Sequence, residues 1–155
     1  MLYEDVVKKL IKDGTTITTM ESCSGGLLIS TITDVEGASN ITEGGFVTYS
    51  NSQKIALGVP EKIIDTYGVY SSETAFNMAE ACRKKMKCNI GIGITGTLSN
   101  VDPNNSDSVQ GEVYFCIKFN EIVVNRKIKV PIESRHEQKK FIIKKVFEEL
   151  DKVIL

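Results

Sequence analysis

Thr15-Thr16-Ile17-Thr18-Thr19-Met20 runs straight into Glu21-Ser22-Cys23-Ser24-Gly25-Gly26 and then into the apolar stretch 27–33. The first segment is β-branched throughout its middle and predicts a strand. Two glycines then permit a sharp reversal, and the apolar residues that follow predict a helix from Leu27 to Thr33. A strand, a glycine turn and a helix in direct succession are the opening of a parallel α/β unit. Two readings of the turn stand at this point. Backbone amides at a helix N-terminus can cradle an anion, or a tight strand-to-helix turn simply needs glycine.

Outward from this unit the pattern continues. Leu2, Val6, Val7, Leu10 and Ile11 recur at helical spacing until Gly14 stops them. Phe46-Val47-Thr48-Tyr49 is strand-like, residues 51–57 and 60–67 read as short helices, and Ser71-Ser72-Glu73-Thr74 caps a longer one through Met86. Residues 90–95 alternate Ile with Gly, a buried strand pressed closely by its neighbours. Residues 96–110, rich in Ser, Asn, Asp and Pro, form the longest loop. Residues 112–119 and 122–130 predict a hairpin across Asn120-Glu121, and residues 137–154 place Phe141, Ile142, Val146, Phe147 and Leu150 on one helical stripe. The expectation is an α/β domain with a mixed sheet, its parallel part early and its antiparallel part late, and one domain over 1–155.

Composition sets the outer limits. The 155 residues are 41% hydrophobic and 25% charged, with a net charge of -1, values of an ordinary globular chain that builds its own core. Residues 1–77 carry 5 basic against 10 acidic groups and residues 78–155 carry 14 against 10. An excess of +4 spread over helix faces is too weak for a nucleic-acid binder, so no nucleic-acid partner is expected. No apolar run approaches membrane-spanning length, and Met1-Leu2-Tyr3-Glu4-Asp5 lacks a basic n-region followed by an apolar h-region. No membrane association is expected, and the location is expected to be cytoplasmic. Cys23, Cys82, Cys88 and Cys116 are scattered and read as reduced thiols; one histidine, His136, and no Cys-x-x-Cys leave no zinc site. A hydrolytic site would then need a base other than the usual histidine. Lys54, one helical turn beyond the strand at 46–49, is either a desolvated base for a serine hydroxyl or an ordinary surface lysine.

Several motifs in order resemble one family. Glu21-Ser22-Cys23-Ser24-Gly25-Gly26, Gly37-Ala38-Ser39, Gly45-Phe46-Val47-Thr48-Tyr49-Ser50-Asn51 with Lys54, Gly58-Val59-Pro60, Tyr67-Gly68-Val69-Tyr70-Ser71 and Thr95-Gly96 resemble the C-terminal domain of the competence/damage-inducible CinA family over about residues 4–150. The resemblance implies a three-layer α/β/α sandwich, a homo-oligomer and a nicotinamide-nucleotide amidohydrolase. Such an enzyme converts nicotinamide mononucleotide and water to nicotinic acid mononucleotide and ammonia in pyridine nucleotide salvage, without a metal or other cofactor. Carried over by position, it implies Ser39 as nucleophile, Lys54 as its activator and Ser22 as a helper near the reacting amide, with Ser50 a further candidate. Gly25 and Gly26 would keep backbone close to the nucleotide, Tyr49 and Thr95 would line the pocket, and Arg135 would hold the phosphate bidentately. One segment departs from the family. Its usual Ile/Val-Ala-Gly-Pro after Thr95-Gly96 is here Thr97-Leu98-Ser99-Asn100-Val101-Asp102-Pro103. That departure supports a second reading, a relative that binds a nucleotide or a protein partner without turnover.

Overall fold

Strand β1 (Ile17–Glu21) is buried at every position, because it has a strand on each side and helices on each face. In the computed structural model, which describes residues 1–155, β1 pairs in parallel with β2 (Phe46–Val47) and with β3 (Ile90–Gly96). β3 pairs antiparallel with β4 (Glu112–Phe119), and β4 with β5 (Ile122–Lys129), giving the order β2-β1-β3-β4-β5. The hairpin turns through Asn120, whose φ of 48° is a conformation that asparagine tolerates better than most residues. Parallel pairing early and antiparallel pairing late follow the sequence expectation.

Helices α1 (Leu2–Asp13), α2 (Leu27–Thr33) and α6 (Arg135–Val153) pack against one another and the sheet. α5 (Ser72–Met86) covers the opposite face with α4 (Glu61–Tyr67) beside it, and α3 (Asn51–Ala56) follows β2. This is the three-layer α/β/α arrangement. β3 shows why the layers are unequal. Its isoleucines, Ile90, Ile92 and Ile94, enter the larger core with Val113, Phe115 and Ile117 of β4 and the apolar faces of α1, α2 and α6. Its glycines, Gly91 and Gly93, face α5. A Cβ at either would run into backbone of Ala75 or Ala79, so glycine lets α5 approach more closely than any side chain allows.

Three serines cap helices. Ser50 Oγ accepts from Gln53 N, Ser71 Oγ from Thr74 N and Ser134 Oγ from Glu137 N, each occupying a donor that the first helical turn leaves unpaired. The Ser134 cap starts α6 at Arg135, two residues ahead of the apolar stripe that marks it in the sequence. Arg135 is therefore the first residue of α6 rather than part of the preceding loop. No helix is long and apolar enough to cross a membrane.

Candidate active site

The parallel pairing of β1 extends one residue past each strand end. Ser22 N donates to Ile94 O at 3.0 Å, and Thr48 N donates to Glu21 O at 2.8 Å. These two bonds place Ser22 and Thr48 side by side at the carboxyl end of the parallel strands, the usual location of ligand sites in such sheets. The chain then enters α3, and Lys54 folds back toward both. Its Nζ donates to Thr48 O at 2.9 Å and to Ser22 Oγ at 3.1 Å.

Lys54 is only 2% exposed, so the surface-lysine alternative is set aside. Burial lowers its pKa from the ordinary 10.5 to about 8, against the opposing pull of Cys23 and Asp102. With a midpoint of about 8, about a tenth of Lys54 is a neutral amine at pH 7. The Thr48 carbonyl takes one N–H and aims the rest of the amine at Ser22. Beside it, burial pushes the Cys23 thiol up to about 12, so that sulfur stays protonated and is no competing nucleophile.

The pair lies in the wall of a cavity of about 570 Å³ whose lining is mostly hydroxyl and amide side chains. This is within the range of small-molecule sites, and more polar than most. Across the mouth, Arg135 Nη2 donates to Tyr49 Oη at 3.0 Å and Nη1 to Ser99 Oγ at 3.4 Å. Neither partner is charged, so the guanidinium has no carboxylate to neutralise it.

Of the residues expected from the sequence, Ser22, Lys54, Tyr49 and Arg135 line this cavity, as does Ser50, whose hydroxyl is committed to capping α3. Ser39 is a correction. It lies on the short 3-10 turn Ala38–Asn40, exposed, in a separate depression with Thr33, Glu36 and Thr42. Ile17 N bonds Ile41 O, which fixes that turn to the opening end of β1. Five residues at roughly 3.3 Å each then put it about 16 Å from Ser22 at the closing end. Thr95 is also corrected: it is buried within β3, and its hydroxyl donates to Val69 O at 3.0 Å. Thr97, two residues on, takes its place in the wall.

Gly25 and Gly26 do not line the cavity either. Their φ values of 61° and 99° make the turn, and the anion at the α2 N-terminus is the protein's own. Glu21, fully buried, accepts from Leu28 N at 2.8 Å, Ile29 N at 3.0 Å, Ser24 Oγ at 2.8 Å and Thr19 Oγ1 at 3.2 Å. A carboxylate placed on the first amides of a helix fills the role that an external anion would otherwise take. The only sequence signal for it was that α2 lacks a capping oxygen at Gly26.

Tyr70, Asp102 and Asn105 are further wall residues that the sequence reading did not single out. Tyr70 Oη and Asn105 Nδ2 each donate to Asp102 Oδ2 at 2.6 Å. The bond from Tyr70, and then that from Asn105, holds the Asp102 carboxyl below the usual carboxylate range.

The fold and the cavity define an α/β domain with a serine–lysine pair at the carboxyl end of its parallel strands. The family model described as the CinA C-terminal domain matches residues 1–154, and the chain belongs to that family. A CinA-like protein of Prochlorococcus marinus is 42% identical over 118 residues, 76% of this chain and 27% of that protein. A Limosilactobacillus reuteri protein with a competence-damage inducible name is 51% identical over 96 residues, 61% of this chain and 23% of its own length. The chain thus spans about a quarter of the length of these relatives. Among solved structures, the competence/damage inducible protein CihA from Agrobacterium tumefaciens superposes with a TM-score of 0.87 at 26% identity, covering 100% of this chain and 97% of that one. A CinA superfamily protein from Klebsiella pneumoniae gives 0.90 at 19% identity, covering 99% and 95%, a likeness of fold.

Proposed function

We propose that the chain hydrolyses the carboxamide of nicotinamide mononucleotide, releasing nicotinic acid mononucleotide and ammonia, with Ser22 as nucleophile and Lys54 as its base. The observation that carries this reading is the 3.1 Å contact between Ser22 Oγ and a buried lysine that forms no salt bridge. An amide is a poor electrophile and serine a weak nucleophile, so the hydroxyl needs a base within hydrogen-bond reach. Neutral Lys54 takes the Ser22 proton as Oγ attacks the carboxamide carbon. It returns that proton to the departing nitrogen, which leaves as ammonia. Water then attacks the acyl-serine with Lys54 again as base, the C–Oγ bond breaks, and Lys54 returns the proton to Ser22 Oγ as nicotinic acid mononucleotide leaves. Arg135, held only by neutral hydroxyls, turns from Tyr49 and Ser99 to grip the phosphate as a fork. The choice of substrate is supported by family membership, since CinA family members include nicotinamide-nucleotide amidohydrolases.

Ammonia release from nicotinamide mononucleotide by the purified chain tests the proposal. Ser22→Ala and Lys54→Met each lose at least about a hundredfold in turnover, while Ser39→Ala keeps the parent rate. A large loss in Ser39→Ala together with an active Ser22→Ala would overturn the assignment. Saturable binding of the mononucleotide without ammonia from the parent chain would establish the binding-only reading instead.

A further inference from the structure

We infer that Asp102 is a positioning residue, which clasps segment 97–108 onto the cavity and presents its carboxylate to Lys54. The inference rests on the serine–lysine reading for its consequence in catalysis, but its geometry stands apart. Asp102 Oδ2 receives Tyr70 Oη and Asn105 Nδ2, Oδ1 receives Asn104 N at 2.8 Å, and its own N–H donates to Ser108 Oγ at 3.0 Å. All of these partners are neutral, so the carboxylate's charge is stabilised without being cancelled.

The clasp ties three elements together. Tyr70 belongs to the turn between α4 and α5, and its backbone N–H is bound a second time, by Asp107 Oδ2 at 3.2 Å. Asn105 passes the connection onward: its Oδ1 accepts from Asn51 Nδ2 at 2.9 Å, and Asn51 opens α3 three residues before Lys54. This is the segment in which the family's glycine-rich run is missing. Side-chain hydrogen bonds accepted by Asp102 hold the segment in place, and they leave a fixed negative charge in the wall.

The groups facing Lys54 can be counted. Ser22 Oγ and the Thr48 carbonyl bond it directly, and Cys23 from the β1–α2 turn and Asp102 from segment 97–108 share the wall of the same cavity with it. Cys23 is a neutral thiol at any pH where Lys54 titrates. Asp102 is therefore the charged group that opposes the effect of burial and keeps Lys54 from losing its proton at still lower pH.

The test is an NMR titration of carbon-13-labelled lysine in the whole chain, with the Lys54 signal assigned by its absence in Lys54→Met. Asp102→Asn keeps the side-chain size and removes the charge, together with the bonds on whichever side its NH2 takes, a loss that Tyr70→Phe controls for. It moves the Lys54 midpoint down by about half a unit to one unit. Asp102→Glu restores it toward the parent value. Tyr70→Phe keeps the charge but drops one arm of the clasp. It lowers hydrogen-exchange protection across 97–108 and leaves the midpoint in place. A midpoint in Asp102→Asn equal to that of the parent overturns the inference, and so does a downward shift in Tyr70→Phe as large as that in Asp102→Asn. Because the titration needs no turnover, an absence of ammonia release would remove the proposed activity and leave this comparison intact.

Discussion

Lys54→Met should make the protein inactive and, below pH 8, gain stability relative to the parent. The perturbation replaces a buried ammonium by an apolar chain of similar length. In the folded protein burial holds Lys54 at about 8 against 10.5 unfolded, so the unfolded chain binds the proton more tightly. Stability of the parent therefore rises with pH between about 8 and 10.5, and the penalty is complete below 8. That gap is worth about 3 kcal/mol at pH 7. The variant also loses the bonds to Thr48 O and Ser22 Oγ, at about 1 kcal/mol each, but that loss does not depend on pH. The clean quantity is thus the change in the difference between the two proteins. Integrating the proton linkage, the parent gains about 2–3 kcal/mol on the variant from pH 7 to pH 10. Urea unfolding at each unit of pH measures it, as a relative displacement of midpoints by about 1 M for a chain of this size. Other titrating groups cancel in the difference. Parallel curves would mean that Lys54 titrates near its ordinary value when folded, and would remove it as a base at neutral pH.

The rate carries the same titration with the opposite emphasis. kcat/KM for nicotinamide mononucleotide should rise about tenfold per pH unit below 8 and level off above it, since the neutral amine is the active form; a flat profile from pH 6 to 9 excludes Lys54. Arg135→Ala should raise KM for the mononucleotide more than for its phosphate-free riboside, with Arg135→Lys restoring only part because lysine lacks the planar fork. Equal effects on both compounds would show that Arg135 does not touch the phosphate. Glu21→Gln should cost about 2–3 kcal/mol in urea unfolding, because a neutral amide cannot satisfy the four donors that now converge on one carboxylate. An unchanged midpoint would show that these four contacts contribute no net stability.

The elements most legible in the sequence were those whose residues leave few conformational choices. The β-branched run before Gly25-Gly26 became β1 and α2, and Asn120-Glu121 turned the hairpin. The Ile–Gly alternation of β3 put one residue type on each face of the sheet. Ser71 capped its helix as read. Boundaries moved at β1, which runs 17–21 rather than 15–20, at β2, which ends at Val47 rather than Tyr49, and at α6, where the Ser134 cap starts the helix two residues early. The site was less legible, for a topological reason. Ser22, Ser39 and Lys54 all sit in motifs of the right order, but order along a chain does not say which end of a strand a residue occupies. One backbone bond, Ile17 N to Ile41 O, sends Ser39 to the far end of β1, while another, Ser22 N to Ile94 O, keeps Ser22 beside Lys54.

The glycine turn shows a second kind of illegibility, with a consequence for substrate charge. Gly25-Gly26 before a helix is the pattern of an anion cradle, and nothing in its spacing reveals that the strand's last residue will fill it. Once Glu21 occupies the amides of Leu28 and Ile29, a phosphate placed there would meet a buried carboxylate rather than free donors. A dianionic ligand must find its counter-charge elsewhere, and the cavity offers two cations, Lys54 and Arg135. Lys54 is deep in the wall and acts only when neutral, so it cannot also hold a phosphate without losing its function as base. Arg135, at the mouth and bound only to hydroxyls, is free to do so. Under the proposed activity, this distribution of charge favours a substrate bound with its phosphate outward toward α6 and its carboxamide inward toward Ser22.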